Sequence, residues 1–391
     1  MQHLSEGLDL GCVLDAVRGC LPADKASFQL HEPTFAGNEW KYTKECLDTG
    51  WVSSAGKFVD VFEKKLSEFT GVRRAFAVVN GTAALHIALK MAGVEMNDEV
   101  LVPDLTFVAT ANAVTYCGAM PHFVDSEEAT LGVDPAKLKR ELQKSSQLRT
   151  DGCFNKDTGR RIKALVAMHT FGHPVDLEPL VELCRSFKIE LIEDAAESLG
   201  SFYKGKHTGH WGKFATLSFN GNKIVTTGGG GAILTDDERL GKLAKHLATT
   251  AKLPHAWAFN HDQIGYNYRM PNINAALGLA QLEQLPGFIE RKRKLAERYK
   301  KAFESIPGVR FFDEPKFAKS NFWLNAVLLD EKNKTERDAL LALLNENGIH
   351  ARPAWTLMHK LPMYRECPRM DTSTAESIES RLINIPSSAF L

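Results

Sequence analysis

The stretch SFNGNKIVTTGGGG, residues 218–231, sets one lysine between a polar loop and four glycines. A lysine beside glycines suggests a phosphate loop, but the order is reversed. A Walker loop, G-x-x-x-x-G-K-[ST], puts its glycines before the lysine, whereas residues 228–231 follow Lys223. The dinucleotide fingerprint G-x-G-x-x-G is also absent. Read alone, the segment is a glycine turn with an exposed lysine. Its flanks say more, because FATLSF (214–219) and GAILTD (231–236) are both apolar runs of strand length.

Working outward, short apolar runs alternate with amphipathic helical patterns. Helical spacing covers 59–69, 82–91, 107–118, 135–145 and 176–188. Strand-like runs cover 99–103, 121–126, 162–168 and 189–195. Such alternation predicts an α/β fold with a mostly parallel sheet and helices on both faces. Ligands in such sheets bind at the carboxyl ends of the strands. After about Met270 the pattern changes to two long helices, 271–285 and 288–306. A strand (321–329), a helix (335–348) and a strand (349–355) follow. The predicted organisation is a helical arm (1–27), a large α/β domain (28–270) and a smaller α+β domain (271–391). Residues 149–160 read as a surface loop or hairpin.

Lysine plus arginine and aspartate plus glutamate both total 48, so net charge gives no attraction to nucleic acid or anionic membranes. No apolar run is long enough to span a bilayer. The N-terminus lacks the pattern of a secretory signal. Seven cysteines, with no C-x-x-C pair, read as reduced thiols of a cytoplasmic protein. His169 and His173 have i, i+4 spacing without H-E-x-x-H, and no metal site is expected.

Four positions suggest chemistry. Asn80, Gly81 and Thr82 open a helix after an apolar run, which suits a phosphate, although an ordinary N-cap looks the same. Glu193, Asp194 and Glu197 lie at the end of a strand, where carboxylates face a cleft or simply cap the next turn. Ser218 ends a strand five residues before Lys223. Phe107 could cover a planar ligand or pack in the core. Together they supply a phosphate cradle, a carboxylate for a ring nitrogen, an aromatic face and an amine that can form an imine. Pyridoxal phosphate needs that set.

The chain resembles the DegT-type, fold-type I pyridoxal-phosphate-dependent aminotransferases of nucleotide-linked keto sugars. The resemblance runs through NGTAALHIAL, PDLTFVATANAV, HTFGHPVDL, IEDAAESLGS, SFNGNKIVTTGGGG, IGYNYRMPNINAALGLAQLE and ARPAWTLMHKLPMY. It implies a central sheet of the seven-stranded type. It also implies pyridoxal 5′-phosphate as cofactor, with pyridoxamine 5′-phosphate as its intermediate form. By this resemblance Lys223 is the Schiff-base lysine and Asp194 the partner of the pyridine nitrogen. Glu197 lies beside the ring hydroxyl. Gly81, Thr82 and Ser218 hold the phosphate, and Phe107 stacks on the ring. Asn267, with Arg269 nearby, would reach the neighbouring subunit's phosphate, which implies a homodimer with shared active sites. Trp51, Ser54, Arg269, Trp323, Arg352 and Trp355 are the expected substrate contacts, in segments near the expected pocket.

Asn220 stands where many relatives have histidine. With LHEPTFAGNEWKY, it makes the chain similar to the legionaminic-acid and bacillosamine type. That implies L-glutamate as donor and a UDP-linked 4-keto-6-deoxy-N-acetylhexosamine as acceptor. The product would be UDP-4-amino-4,6-dideoxy-N-acetylglucosamine. GDP-4-keto-6-deoxymannose, a 3-keto sugar, or a catalytically silent sugar-nucleotide binder are the alternatives. The dehydratase branch of the family replaces the lysine with histidine, and Lys223 speaks against it.

Overall fold

The computed structural model describes residues 7–391. The first six residues of the expected arm lie outside it. Helix α1 (Leu10–Gly19) starts at Asp9, whose side chain accepts from the Cys12 amide. Then come α2 (Glu39–Thr49) and α3 (Lys57–Thr70).

Seven strands form the main path of the central sheet. They are β1 (Arg74–Val78), β2 (Glu99–Pro103), β3 (Met120–Val124), β4 (Arg161–Met168), β5 (Glu190–Asp194), β6 (Phe214–Ser218) and β7 (Gly231–Thr235). Their spatial order is β1-β7-β6-β5-β4-β2-β3. From β3 to β6 every pair is parallel. Helices α4 (Gly81–Met91), α5 (Val108–Tyr116), α6 (Pro135–Ser145) and α7 (Leu177–Phe187) lie in the connections up to β5, whereas β5 reaches β6 through a connection without a helix. Strand β7 runs antiparallel to both neighbours. The loop carrying Lys223 contains no helix, and without a helical crossover the chain turns straight back beside β6. The segment read as loop or hairpin is a hairpin, Ser146–Arg149 with Gly152–Asn155, which extends the sheet beyond β4.

Helix α8 (Glu238–Ala248) covers β1 and β7. The two helices expected after Met270 are one, α9 (Asn272–Phe303), with Pro286 inside it. A mid-helix proline removes a backbone bond and costs about 3 kcal/mol. Leu279, Leu282, Leu285, Phe288, Leu295 and Tyr299 are buried on both sides of it, and this continuous apolar face keeps the helix whole.

A second sheet contains β8 (Val309–Phe311), β9 (Asn325–Leu329), β10 (Arg352–Pro353) and β11 (Leu382–Ile385), in the order β8-β9-β11-β10. The expected strand 321–329 is shorter than its apolar run. Asn321 turns the chain instead, donating from Nδ2 to the carbonyls of Glu197 and Leu199, and Phe322 adopts a φ of 48°. That corner swings Trp323 out of the sheet and against the central sheet's carboxyl edge. No helix among the described residues is long and apolar enough to cross a membrane.

Candidate active site

A cavity of about 330 Å³ opens at the carboxyl edge of the central sheet. Its floor follows from strand register. Gly231 pairs with Val78 on one side and Ser218 on the other. This brings the start of α4 beside the end of β6. The contact requires two glycines. A Cβ at Gly231 would lie 2.5 Å from the Asn80 carbonyl carbon, and one at Gly81 would lie 3.0 Å from the Ser218 Cβ. Asn80 caps α4 by accepting from the Ala83 amide at 2.7 Å. The first-turn amides of Gly81 and Thr82 border the cavity, where a helix N-terminus favours an anion.

The adjacent acids Glu193 and Asp194 point to opposite faces of β5. Glu193 is a structural anchor. It accepts from the amides of Gly209, Trp211 and Gly212 at 2.7–2.8 Å and pairs with His169 at 3.1 Å. Asp194 faces the cavity and is 3% exposed. It accepts from Thr110 Oγ1 at 2.8 Å and the Ala196 amide at 3.2 Å. Burial pushes its carboxyl above the usual range, opposed by these donors and by Lys223. A carboxylate so placed is completed by a cation or a protonated ring nitrogen.

Lys223 reaches the same space from the β6–β7 loop. Its Nζ lies 3.0 Å from Glu197 Oε1 and 3.8 Å from the centroid of the Trp323 ring. Glu197 also accepts from the Phe171 amide at 2.8 Å, and burial pushes its carboxyl upward. Trp323 is fixed by a bond from Nε1 to the Asn222 carbonyl at 2.8 Å. Phe107, at the N-cap of α5, and Trp355 face each other across the opening with ring centroids 6.2 Å apart.

Thus Gly81, Thr82, Phe107, Asp194, Glu197, Ser218, Lys223, Trp323 and Trp355 meet in one cavity. Arg352 lines a neighbouring cavity of about 400 Å³ that shares Asn222, Trp323 and Trp355 with the first. Trp51 borders a separate depression with Gly56 and Asn272, and Ser54 is half-buried nearby in sequence. Asn267 and Arg269 are exposed, each bridging to a neighbouring segment, and border neither cavity. Sequence reasoning passed over Thr110, the donor to Asp194. The only signal was a hydroxyl three residues into the helix after Phe107.

A family model for the DegT/DnrJ/EryC1/StrS aminotransferase family matches residues 33–391. The chain is 40% identical over 358 residues to GDP-perosamine synthase of Escherichia coli O157:H7, covering 92% of each chain. It is 37% identical to GDP-perosamine synthase of Caulobacter vibrioides, covering 94% of this chain and 95% of that one. Among solved structures, PseC of Helicobacter pylori, an aminotransferase involved in the biosynthesis of pseudoaminic acid, superposes with a TM-score of 0.84 at 26% identity. It covers 93% of this chain and 94% of that one.

Proposed function

We propose, from the premise that this chain belongs to the DegT/DnrJ/EryC1/StrS family and is a pyridoxal-phosphate-dependent sugar-nucleotide aminotransferase, that it moves the amino group of L-glutamate to C4 of a UDP-linked 4-keto-6-deoxy-N-acetylhexosamine. The product is UDP-4-amino-4,6-dideoxy-N-acetylglucosamine, a precursor for legionaminic-acid or bacillosamine-type glycans. The observation that carries amino transfer is the meeting of Lys223 and buried Asp194 beside the N-terminus of α4.

The residues present fit the cofactor. The space a Cβ on Gly81 would fill lies next to Ser218, and the two would hold the phosphate with Thr82. Asp194 would face the pyridine nitrogen, Glu197 the ring hydroxyl and Phe107 one ring face. When bound, the cofactor accepts the electron pair of the donor's Cα–H bond and carries the amino group between substrates. Lys223 Nζ takes the proton from the donor's Cα and later delivers one to C4 of the sugar. Glu197 and the Trp323 face hold the amine in position between these two tasks. Trp323, Trp355 and Arg352 would border the sugar nucleotide, with Trp51 and Ser54 further out.

Asn267 and Arg269 would complete the site of a second copy in a homodimer, consistent with their exposure outside both cavities. Mixing Lys223→Ala subunits with Asn267→Ala subunits then restores activity that neither variant has alone. The cytoplasm is the proposed compartment, in keeping with seven unpaired cysteines.

The UDP-linked acceptor rests on the Asn220 subgroup pattern, and Asn220 borders the cavity. A second reading, a GDP-linked 4-keto-6-deoxymannose, is favoured by the likeness to GDP-perosamine synthases. The purified holoenzyme with L-glutamate is offered each keto sugar, and products are read by mass and NMR. Amination of the UDP sugar upholds the first reading, and amination of the GDP sugar alone replaces it with the second. Turnover of neither overturns both.

A further inference from the structure

Asp104 and His359 are 255 positions apart and border neither cavity, yet they are clamped together. Asp104 follows the last residue of β2 and is fully buried. Its Oδ1 accepts from the His359 amide at 2.9 Å, and its Oδ2 pairs with His359 Nδ1 at 2.5 Å. An ionised carboxylate only accepts, so Nδ1 is the donor. The Asp104 carbonyl accepts from the Met358 amide at 3.1 Å. These three contacts come from two consecutive residues. On the far side of the ring, His359 Nε2 lies 3.5 Å from Glu376 Oε1. A buried carboxylate is costly unless its oxygens have donors, and this one is held on both. Amino transfer, as described, gives neither residue a task.

What the clamp joins is the mouth of the first cavity. Phe107 lies three residues after Asp104, and Trp355 four residues before His359. Their rings face each other across the opening at 6.2 Å. The Trp355 ring also packs on buried Phe171, with centroids 4.8 Å apart. Phe107 is 49% exposed, so core packing does not hold its ring. Its place depends on the loop that carries it, and the clamp ties that loop to the segment bearing Trp355. Further along the same segment, Tyr364 Oη donates to Asn112 Oδ1 and fastens it to α5. The loop also reaches the cavity floor. Thr110 gives its proton to Asp194, so Thr106 is the donor in the 3.0 Å bond between Thr106 and Thr110.

We infer that Asp104 and His359 are positioning residues that set the gap between Phe107 and Trp355, and so keep Phe107 over the cofactor ring. Neither side chain touches the cofactor or the reacting atoms. The pair acts through the aromatic face that the β2–α5 loop presents. Without the His359 side chain, the two main-chain bonds to Asp104 remain, but one carboxylate oxygen loses its donor and the loop gains freedom. This rests on the aminotransferase reading above, in which Phe107 covers one face of the ring.

The test loads the enzyme with pyridoxamine 5′-phosphate, dilutes it, and follows release by the fluorescence of the free cofactor. His359→Leu and Phe107→Leu are each expected to speed release about tenfold. His359→Asn, whose Nδ2 can stand in for Nδ1, is expected to bring release back to within about twofold of wild type. The deciding measurement is the double variant. If His359 acts through Phe107, His359→Leu with Phe107→Leu releases the cofactor no faster than Phe107→Leu alone. Multiplying effects overturn the inference, as does an unchanged rate in His359→Leu or an Asn variant no better than the Leu one. If His359→Leu fails to fold, Asp104→Asn, which keeps the shape and an acceptor for the His359 amide, is put through the same cycle. Amination of neither keto sugar overturns the proposed acceptor and leaves this inference standing, because release needs no acceptor.

Discussion

The two sides of the active-site cavity are built differently. The floor comes from adjacent strands, and hydrogen bonds and register fix its main anchors. Asp194 has two donors, Asn80 caps its helix, and Gly231 locks β7 between β1 and β6. The wall comes from segments distant in sequence: Trp323 from a strand-end corner, Trp355 from the region after β10, and His31 from the chain before α2. Both ring nitrogens of His31 lack a hydrogen-bond partner. A fixed floor suits a group that stays in place through both half-reactions. A wall drawn from distant segments suits substrates that come and go.

Four substitutions and one titration break or sharpen this contrast. The largest effect is expected at the cavity's amine: Lys223→Ala should slow the first half-reaction on the order of 10⁴-fold, read by stopped-flow absorbance. Wild-type turnover by that variant would remove Lys223 from its role. Next, Asp194→Asn should lower kcat/KM by roughly 10²–10³-fold and loosen the cofactor, measured by steady-state kinetics and cofactor loss on gel filtration. Gly231→Ala tests the floor's geometry. Its Cβ meets backbone, so a stability loss of about 1–3 kcal/mol is expected in chemical denaturation.

A buried histidine outside both cavities predicts a pH effect. His173 packs edge-on against Phe312 and Phe322, and burial lowers its pKa to about 4. The unfolded chain protonates this ring near its ordinary 6.5, so the unfolded state binds more protons between those values. Stability should therefore fall as pH drops through that window, by about 2 kcal/mol from this residue between pH 7 and 5. Denaturation of His173→Phe should show a correspondingly shallower pH slope; an unaltered slope removes His173 as its source. The smallest effect is expected for Trp323→Phe, which keeps a ring under Lys223 but loses the bond to the Asn222 carbonyl. A cost of about 1 kcal/mol, a few-fold in kcat, is expected.

The floor was far more legible in the sequence than the wall. Strand–helix alternation follows local periodicity; Ser218 and Asp194 sit at strand ends that periodicity locates, and Lys223 lies on the loop that follows Ser218. Even there, one choice needed tertiary structure. Glu193 and Asp194 are chemically alike and adjacent, and only the sheet's faces separate anchor from site. The wall depends on features without a local signal. The run 321–329 looks like one strand because Phe322 and Trp323 are apolar, but Asn321 binds the β5–β6 connection and bends the chain. Likewise Pro286 and Gly287 read as a helix break, while packing against two core clusters carried α9 through. His31 and Asn384 lie 353 positions apart, and nothing in either neighbourhood hints that they share a cavity.

The loop that carries Lys223 is hemmed in at both ends. Ser218 and Gly231 are register partners, Phe219 donates to the Gly230 carbonyl at 2.8 Å, and Thr227 donates back to the Phe219 carbonyl at 3.0 Å. Its length is therefore a functional dimension of the enzyme. Side chains along it can be exchanged one at a time, but a single residue added or removed between 219 and 230 would shift the amine relative to the start of α4. For protein engineering, this segment is a fixed-length cassette, to be transplanted whole between scaffolds or left alone.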